Sequence, residues 1–408
     1  MTDLQNTRRL GLWLVGARGA ISTCLVYGLA GLRRGLISPT GLVTERGPVG
    51  ELPLVDFDQI VVGGHDVCVR DLSKSAGELV RSGVLPAELV DNVTDEAAAF
   101  EARLRPGVLD GPDVGVADLD PASAALGAKP PRELIAQLIA DWDALEQQEE
   151  LTAGVVLNLA STEAMRDHRA AWDTLEGLEA SLDAGDALPS SMLYAYAAIS
   201  SGRPYINFTP NAGSSSPAIR ELARKIGVPH AGDDGKTGET LLKTALAPMF
   251  TARGLNVMAW QGYNMLGNRD GEVLNDESHR QSKIKNKDRA LRDLLGGDSN
   301  LHSGVGIDYV PSLGDWKTAW DFVHFEGFLG ARMSMQITWS GSDSALAAPL
   351  GIDLVRLADF AQRAGEVGEM AHTACYFKAP LAGGTHDFHV QHRRLVEYAE
   401  THLGKLRR

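Results

Sequence analysis

The chain has 408 residues, 44% apolar and 23% charged, and a formal net charge of −14. That length suggests two domains, and the composition is that of a soluble globular protein. Net acidity without a basic stripe argues against wrapping nucleic acid, and no apolar run approaches the ~20 residues that would span a membrane. Met1 to Arg9 is polar, unlike a secretory signal. Cys24, Cys68 and Cys375 are odd in number and far apart, which fits free thiols, a reducing compartment and a cytoplasmic enzyme.

Leu10 to Val15 reads as a short buried strand running into Gly16-Ala17-Arg18-Gly19-Ala20, followed by a helical pattern through Leu32. Strand, glycine turn and helix are the context of a dinucleotide-binding turn, in which backbone amides approach a pyrophosphate. Arg18 stands where the second glycine of that fingerprint belongs. Two acids could bind the ribose. Glu45, after the strand-like Gly41–Thr44, has the expected spacing. Asp66, after the strand Gln59–Val62 and the Gly63-Gly64 pair, has the better strand. The residues alone leave both open.

From Asp91 to Pro131 the chain reads as helical fragments and loops, and Pro130-Pro131 opens an amphipathic helix through Glu150. Strands at Gly154–Ala160, Tyr205–Phe208 and Val228–Ala231 each stop in hydroxyl, amide or acid residues and lead into helices. Alternating strands and helices with polar carboxyl ends predict a doubly wound parallel sheet of α/β class, with its ligand at those ends. After the Gly238–Arg253 helix, runs at Asn256–Gln261, Gly304–Pro311, Ala319–Phe328 and Arg332–Trp339 read as a mostly antiparallel sheet. Helices follow at Leu346–Ala364 and near Val390–Leu403. The expected division is residues 1–240 and 346–408 for the first domain, with 241–345 inserted as the second.

Gly232 to Lys287 carries most of the chemistry. Two polar glycine-rich segments, Gly232–Glu239 and Gly262–Gly271, read as loops, and a basic island comes after them. From Arg280 to Arg292 there are six basic residues and one acid, Asp288. With Ser282–Leu295 taken as a helix at about 100° per residue, Lys283 and Lys287 share an arc of about 120° with Ile284, Leu291, Leu294 and Leu295. An inward-facing lysine needs an anionic partner or a lowered pKa, so the pair predicts an anion site.

Other candidates are weaker. His386, His389 and His392 are spaced like metal ligands, but no acid or cysteine completes a set, so a solvated helix face is preferred. Asp233-Asp234 beside Lys236 suits cofactor or lysine pairing better than a metal ion, and a mono- or divalent cation stays the minor reading. Lys317 lies in a polar turn, Lys378 is framed by aromatics, and Asp343-Ser344 could cap the next helix.

Taken together the segments resemble the myo-inositol-1-phosphate synthase (inositol-3-phosphate synthase) family. The resemblance rests on Gly232-Asp233-Asp234-x-Lys236-Thr237-Gly238, Tyr263-Asn264-x-Leu266-Gly267-Asn268-Arg269-Asp270-Gly271 and Ser282-Lys283-x-x-x-Lys287. Gly314-Asp315-x-Lys317, Asp343-Ser344-x-Leu346-Ala347-x-Pro349-Leu350 and Phe377-Lys378-Ala379-Pro380 continue it in order. It implies an NAD-binding Rossmann domain interrupted by an insertion that carries active-site lysines and homotetramer contacts.

It also implies an isomerase of the intramolecular-lyase type, in inositol and phospholipid biosynthesis. Glucose 6-phosphate would be oxidised at C5 with NAD, enolised, closed by an intramolecular aldol reaction and re-reduced to 1D-myo-inositol 3-phosphate. By position the resemblance assigns catalytic or substrate roles to Lys283, Lys287, Lys317, Lys378, Asp234, Asn264 and Asp343. Lys283, Lys378 and Asp234 would serve the C5 oxygen, and Lys317 and Lys287 the C1 oxygen and the phosphate. Cofactor contacts map to Gly16, Gly19, Ala20, Asp66, Ser161, Thr162, Asp234, Asn268, Asp270, Asp343 and Ser344, which favours Asp66 over Glu45. The alternatives are a relative that closes fructose 6-phosphate into a five-membered cyclitol phosphate, and a net NAD-dependent sugar-phosphate dehydrogenase.

Overall fold

The structure, a computed structural model, describes residues 8–109, 118–163, 168–267, 291–296 and 301–407. Strand β1 (Leu10–Val15) is buried along its whole length, as expected of a central strand covered on both faces. Its side chains alternate between two cores: Leu12 and Leu14 join one, Trp13 and Val15 the other. Helix α1 (Ala20–Arg33) covers the first face. Strand β2 (Ile60–Asp66) pairs in parallel with β1, and β3 (Leu104–Pro106) is the edge beyond it.

Helix α2 (Pro131–Gln148) leads to β4 (Ala153–Asn158), on the opposite side of β1 from β2. Helix α3 (Ser190–Ser200) precedes β5 (Tyr205–Asn207), and β6 (Pro229–Ala231) comes next. Leu138 and Trp142 of α2 meet Met192 and Leu193 of α3 in the second core. Burying each such side chain contributes about 1.5–3 kcal/mol.

Helix α4 (Glu239–Ala252) carries the chain to a second sheet. This comprises β7 (Asn256–Leu266), β8 (His302–Tyr309), β9 (Trp316–Glu326) and β10 (Arg332–Ser342), in the order β10-β9-β7-β8. Phe250 of α4, Trp260 of β7 and Val323 of β9 form its core. Helix α5 (Asp343–Arg363) then returns to pack beside α1, β11 (Gly368–Glu369) adds to β6, and α6 (Phe388–Leu406) ends the described chain.

The first sheet has seven strands in the order β11-β6-β5-β4-β1-β2-β3, and every pairing in it is parallel. The order reverses direction between β1 and β4. That is the topological switch point at which doubly wound sheets bind ligands, at the strands' carboxyl ends.

Several expectations need correcting. The second sheet is mostly antiparallel, as expected, with one parallel pairing, β8 on β7. A parallel neighbour requires the intervening chain to cross back to the starting edge, which the strand pattern alone does not reveal. Gly262 to Leu266, read as loop, are the last residues of β7. Lys317, read as a turn residue, is the second residue of β9. The strand-like Gly41–Thr44 contains no strand, and Val43–Glu45 is a single 3-10 turn. The basic island of Lys283 and Lys287, and Asn268 and Asp270, lie outside the described residues.

Candidate active site

The turn after β1 is built for close approach. Gly16 has φ +83°, and a Cβ there would stand 2.9 Å from the backbone of Ala160 after β4. The amides of Gly16 and Ala17 both donate to the carbonyl of His65, which ties the turn to the end of β2. Gly19 is the N-cap of α1, Ala20 is its first residue, and no side chain caps the helix. Its first-turn amides therefore keep their attraction for an anion. The Arg18 guanidinium is held by Glu101 at 3.1 Å and by the carbonyl of Arg70.

Asp66 ends β2 beside this turn. Its Oδ2 accepts the Arg18 amide at 2.7 Å and its Oδ1 the Cys68 amide at 2.9 Å. Burial raises its pKa, and these amides and the Arg18 charge oppose the rise. Glu45 is committed elsewhere, to Arg356 at 2.6 Å. The preceding His65 is buried against Trp13 and Asp141. Ser161 and Thr162 lie just after β4 across the switch point, and the Ser161 carbonyl accepts from Asn211 at 3.0 Å.

The second half of the site is a backbone zip between the segment after β6 and the segment before α6. Asp233 and Ala379 exchange amide bonds at 2.9 and 3.1 Å, Lys378 N–H donates to Asp234 at 2.7 Å, and Lys236 N–H to Tyr376 at 2.8 Å. This register sets the Lys378 ammonium 2.8 Å from Asp234 Oδ1. The neighbouring Asp233 carboxyl is pushed up to about 8 by burial, despite hydrogen bonds from Asn207 and Ser214.

The α5 N-terminus closes the site. Ser342, rather than Asp343, caps that helix by accepting the Ala345 amide at 3.0 Å. Asp343 is thereby left to other partners: its Oδ1 accepts from Thr237 at 2.9 Å, and Lys317 Nζ lies 3.4 Å from its Oδ2. Burial would raise its pKa, but the Lys317 and Lys378 ammonium groups and the Thr237 hydroxyl outweigh burial and hold it below the ordinary value. Ser344 is turned away: it is buried, and its hydroxyl donates to Asp315 at 3.0 Å.

The start of α4 also carries a buried charged network that the sequence pattern did not announce. Glu239 takes Lys243 at 2.6 Å on one oxygen and the Asn264 amide nitrogen at 2.7 Å on the other. Lys243 also stands 3.7 Å from Asp321, which accepts the Trp260 indole at 2.8 Å. Gly262 makes room for it, since a Cβ there would meet Glu239 Oε1 at 2.3 Å. The four-residue spacing of Glu239 and Lys243 on one helix was the available signal. Because the Asn264 nitrogen must face the carboxylate, its Oδ1 is fixed as an acceptor, buried and without a hydrogen-bond partner among the described residues.

The structure thus brings Asp234, Lys378, Lys317, Asp343 and Thr237 into one cluster at the start of α4. The glycine turn and Asp66 stand at the switch point of the same sheet. Residues 10–399 match the family model described as myo-inositol-1-phosphate synthase. The chain belongs to the myo-inositol-1-phosphate synthase family. It is 32% identical over 404 residues to inositol-3-phosphate synthase 1 of Bacteroides thetaiotaomicron, covering 94% of this chain and 91% of that one. It is 29% identical over 389 residues to inositol-3-phosphate synthase of Spirodela polyrhiza, covering 87% and 75%.

Among solved structures, a myo-inositol-1-phosphate synthase-related protein of Thermotoga maritima has a TM-score of 0.75 and 25% identity, covering 96% of this chain and 98% of that one. The fold is shared with inositol-3-phosphate synthase of Caenorhabditis elegans, with a TM-score of 0.85 at 24% identity, covering 97% and 86%. In this synthase-family chain no group of three or more His, Cys, Asp or Glu side chains is placed to hold a metal ion among the described residues. Nor is any described helix long and apolar enough to cross a membrane. Cys24, Cys68 and Cys375 are not joined in disulfides.

Proposed function

We propose that this family member converts glucose 6-phosphate to 1D-myo-inositol 3-phosphate by NAD-dependent internal redox: oxidation at C5, enolisation, aldol closure and re-reduction. The observation that carries the reading is the Lys378–Asp234 pair set beside the Lys317–Asp343 pair, at 2.8 and 3.4 Å, next to a dinucleotide turn. Such a cleft supplies cations for developing oxyanions and acids to hold those cations in place.

The residues present fit NAD: an uncapped helix end for the pyrophosphate, a glycine whose Cβ would strike Ala160, and a carboxylate at the end of β2 for the ribose. Gly16, Gly19, Ala20 and Asp66 would hold it on one side of the switch point, and Ser161, Thr162, Asp234 and Asp343 on the other. When bound, NAD supplies the hydride acceptor, and then the donor, at C5.

The chain's own residues do the acid–base work. Lys378 Nζ accepts the C5 hydroxyl proton while Asp234 stabilises the resulting ammonium, which then faces the carbonyl and enolate oxygen. Lys317, fixed by Asp343, neutralises the phosphate or the C1 oxygen, and Thr237 and the α4 N-terminus lie beside it for the anion. Asn264 Oδ1 awaits a substrate hydroxyl. Lys283 and Lys287 supply further cations on the sequence pattern. Ser344 contributes through its backbone if it contacts cofactor, because its hydroxyl is given to Asp315.

We take the enzyme to be a cytoplasmic homotetramer with residues 241–345 as its inserted unit. Phe328 and Leu329, 89% and 88% exposed at the β9–β10 turn, support a subunit contact there.

The test is product identification after separate incubation with glucose 6-phosphate and fructose 6-phosphate and catalytic NAD+. A six-membered inositol phosphate from glucose 6-phosphate without NADH accumulation is expected. A five-membered product from fructose 6-phosphate would replace the substrate, and stoichiometric NADH release would replace the reaction class.

A further inference from the structure

Lys236 is a buried ammonium with no carboxylate partner among the described residues. Only 2% of the residue is exposed. Its Nζ donates to Gln391 Oε1 of α6 at 2.7 Å and stands 5.8 Å from the centre of the Phe388 ring. Gln391 cannot be turned to offer anything else, since its Nε2 donates to the Thr385 carbonyl at 2.7 Å. The direct contacts of this cation among the described residues are therefore neutral, an arrangement that costs desolvation without a compensating charge.

The groups facing Lys236 come from three elements. From α6 come Gln391 and Phe388, both uncharged. From the 3-10 turn Ala371–Tyr376 comes the Cys375 thiol, pushed up to about 12 by burial and so protonated. From the zip comes Lys378, with Asp233 and Asp234 beside it, and Asp343 faces Lys378 from the start of α5. Asp234 is engaged by Lys378, and Asp233 is largely protonated at neutral pH. The electrostatic neighbours that bear on Lys236 are Cys375 and Lys378. Burial and the like charge of Lys378 hold Lys236 down to about 8, so it remains mostly charged at pH 7.

We propose that Lys236 is a positioning residue for Lys378, a second, fixed positive charge that makes Lys378 surrender its proton more readily than its acidic neighbours would otherwise allow. This rests on the proposed function, in which Lys378 takes a substrate proton. Asp234 and Lys236 act in opposite senses on that base. Asp234 stabilises the ammonium and locates it, and Lys236 repels it, so that the group is both held in place and able to cycle between its two protonation states. The shared zip, with Lys236 N–H on Tyr376 and Lys378 N–H on Asp234 about the antiparallel Gly235–Phe377 bridge, sets the two lysines in one backbone register. A hydrophobic residue at 236 would pack as well without the desolvation cost, which is why a purely structural role does not account for the lysine.

The experiment is a titration of Lys378 followed by NMR after 13C reductive methylation of the intact protein, with the signal assigned by its loss in Lys378→Arg. Lys236→Met keeps the bulk and removes the charge, and Lys236→Arg keeps the charge. The expected result is a Lys378 midpoint raised by at least about half a pH unit in Lys236→Met and returned toward wild type in Lys236→Arg. In parallel the acidic limb of kcat/KM moves up by the same amount, about threefold slower at a pH below the limb. Thermal unfolding of Lys236→Met no lower than wild type shows the fold intact. Equal Lys378 midpoints in wild type and Lys236→Met overturn the proposal. A midpoint that moves in a protein that forms no cyclitol phosphate sustains the proposal and overturns the substrate reading.

Discussion

Lys378 Nζ and Asp234 Oδ1 meet at 2.8 Å although 144 positions separate them in the chain. The amide of the same lysine donates to the carbonyl of the same aspartate, so one pair of residues sets both the backbone register and the side-chain contact. Lys378→Met should lower turnover by at least about a thousandfold while leaving NAD+ affinity within severalfold of wild type. Steady-state kinetics and cofactor titration check both. Normal turnover would remove Lys378 from the chemistry.

Asp66 offers a test confined to the cofactor. Asp66→Asn replaces a carboxylate that accepts two backbone amides with a group that has one acceptor. NAD+ binding measured calorimetrically should weaken by at least about tenfold, as expected when a charged acceptor is lost. Unchanged affinity would move the ribose site elsewhere.

The buried Glu239–Lys243–Asp321 network predicts asymmetric mutational costs. Lys243→Met leaves Glu239 and Asp321 with one cation fewer and should destabilise by about 3–5 kcal/mol. Gly262→Ala forces a methyl group against Glu239 Oε1 and should cost about 1–3 kcal/mol and displace Asn264. Denaturant unfolding gives the first numbers, and a raised KM the last. A silent Gly262→Ala would mean that the network relaxes freely.

Two buried histidines give the stability a pH dependence. Burial lowers His372, stacked on Tyr398 at 3.6 Å, to about 3, and His230 to about 4. Both folded values lie below the unfolded value near 6.5, so the unfolded chain binds more protons at mildly acid pH. Stability should therefore be full above about pH 6.5 and fall on acidification toward those folded values, by up to about 1.4 kcal/mol per pH unit for each histidine. His372→Phe should flatten that slope in unfolding curves taken from pH 7 to 4.5.

The parts of the fold legible in the sequence are those that local physics specifies. Leu10–Val15 had to be a doubly covered strand because it is apolar throughout, and Gly16 had to be a turn because the next segment, from Ala20, is helical. Lys317 and Lys378 stood out less, since neither sits in a charge run, and only the family resemblance joined them to Asp234 and Asp343. The edge strands Leu104–Pro106 and Gly368–Glu369 are too short to carry a period. Asn264 was misplaced in a loop because its strand ends in glycine and polar residues that elsewhere mark turns.

By itself, then, the sequence determined the alternation of strands and helices, the strand–glycine turn–helix unit at Gly16 and an excess of lysines near Gly232–Lys287, because each is written in neighbouring residues. Tertiary structure alone decided which charges meet. Capping of α5 by Ser342 left Asp343 to Lys317, and the backbone zip gave Lys378 to Asp234. The same zip left Lys236 buried among neutral contacts. Electrostatic partnership falls off within a few ångströms, and residues far apart in sequence come that close only through sheet order and loop register.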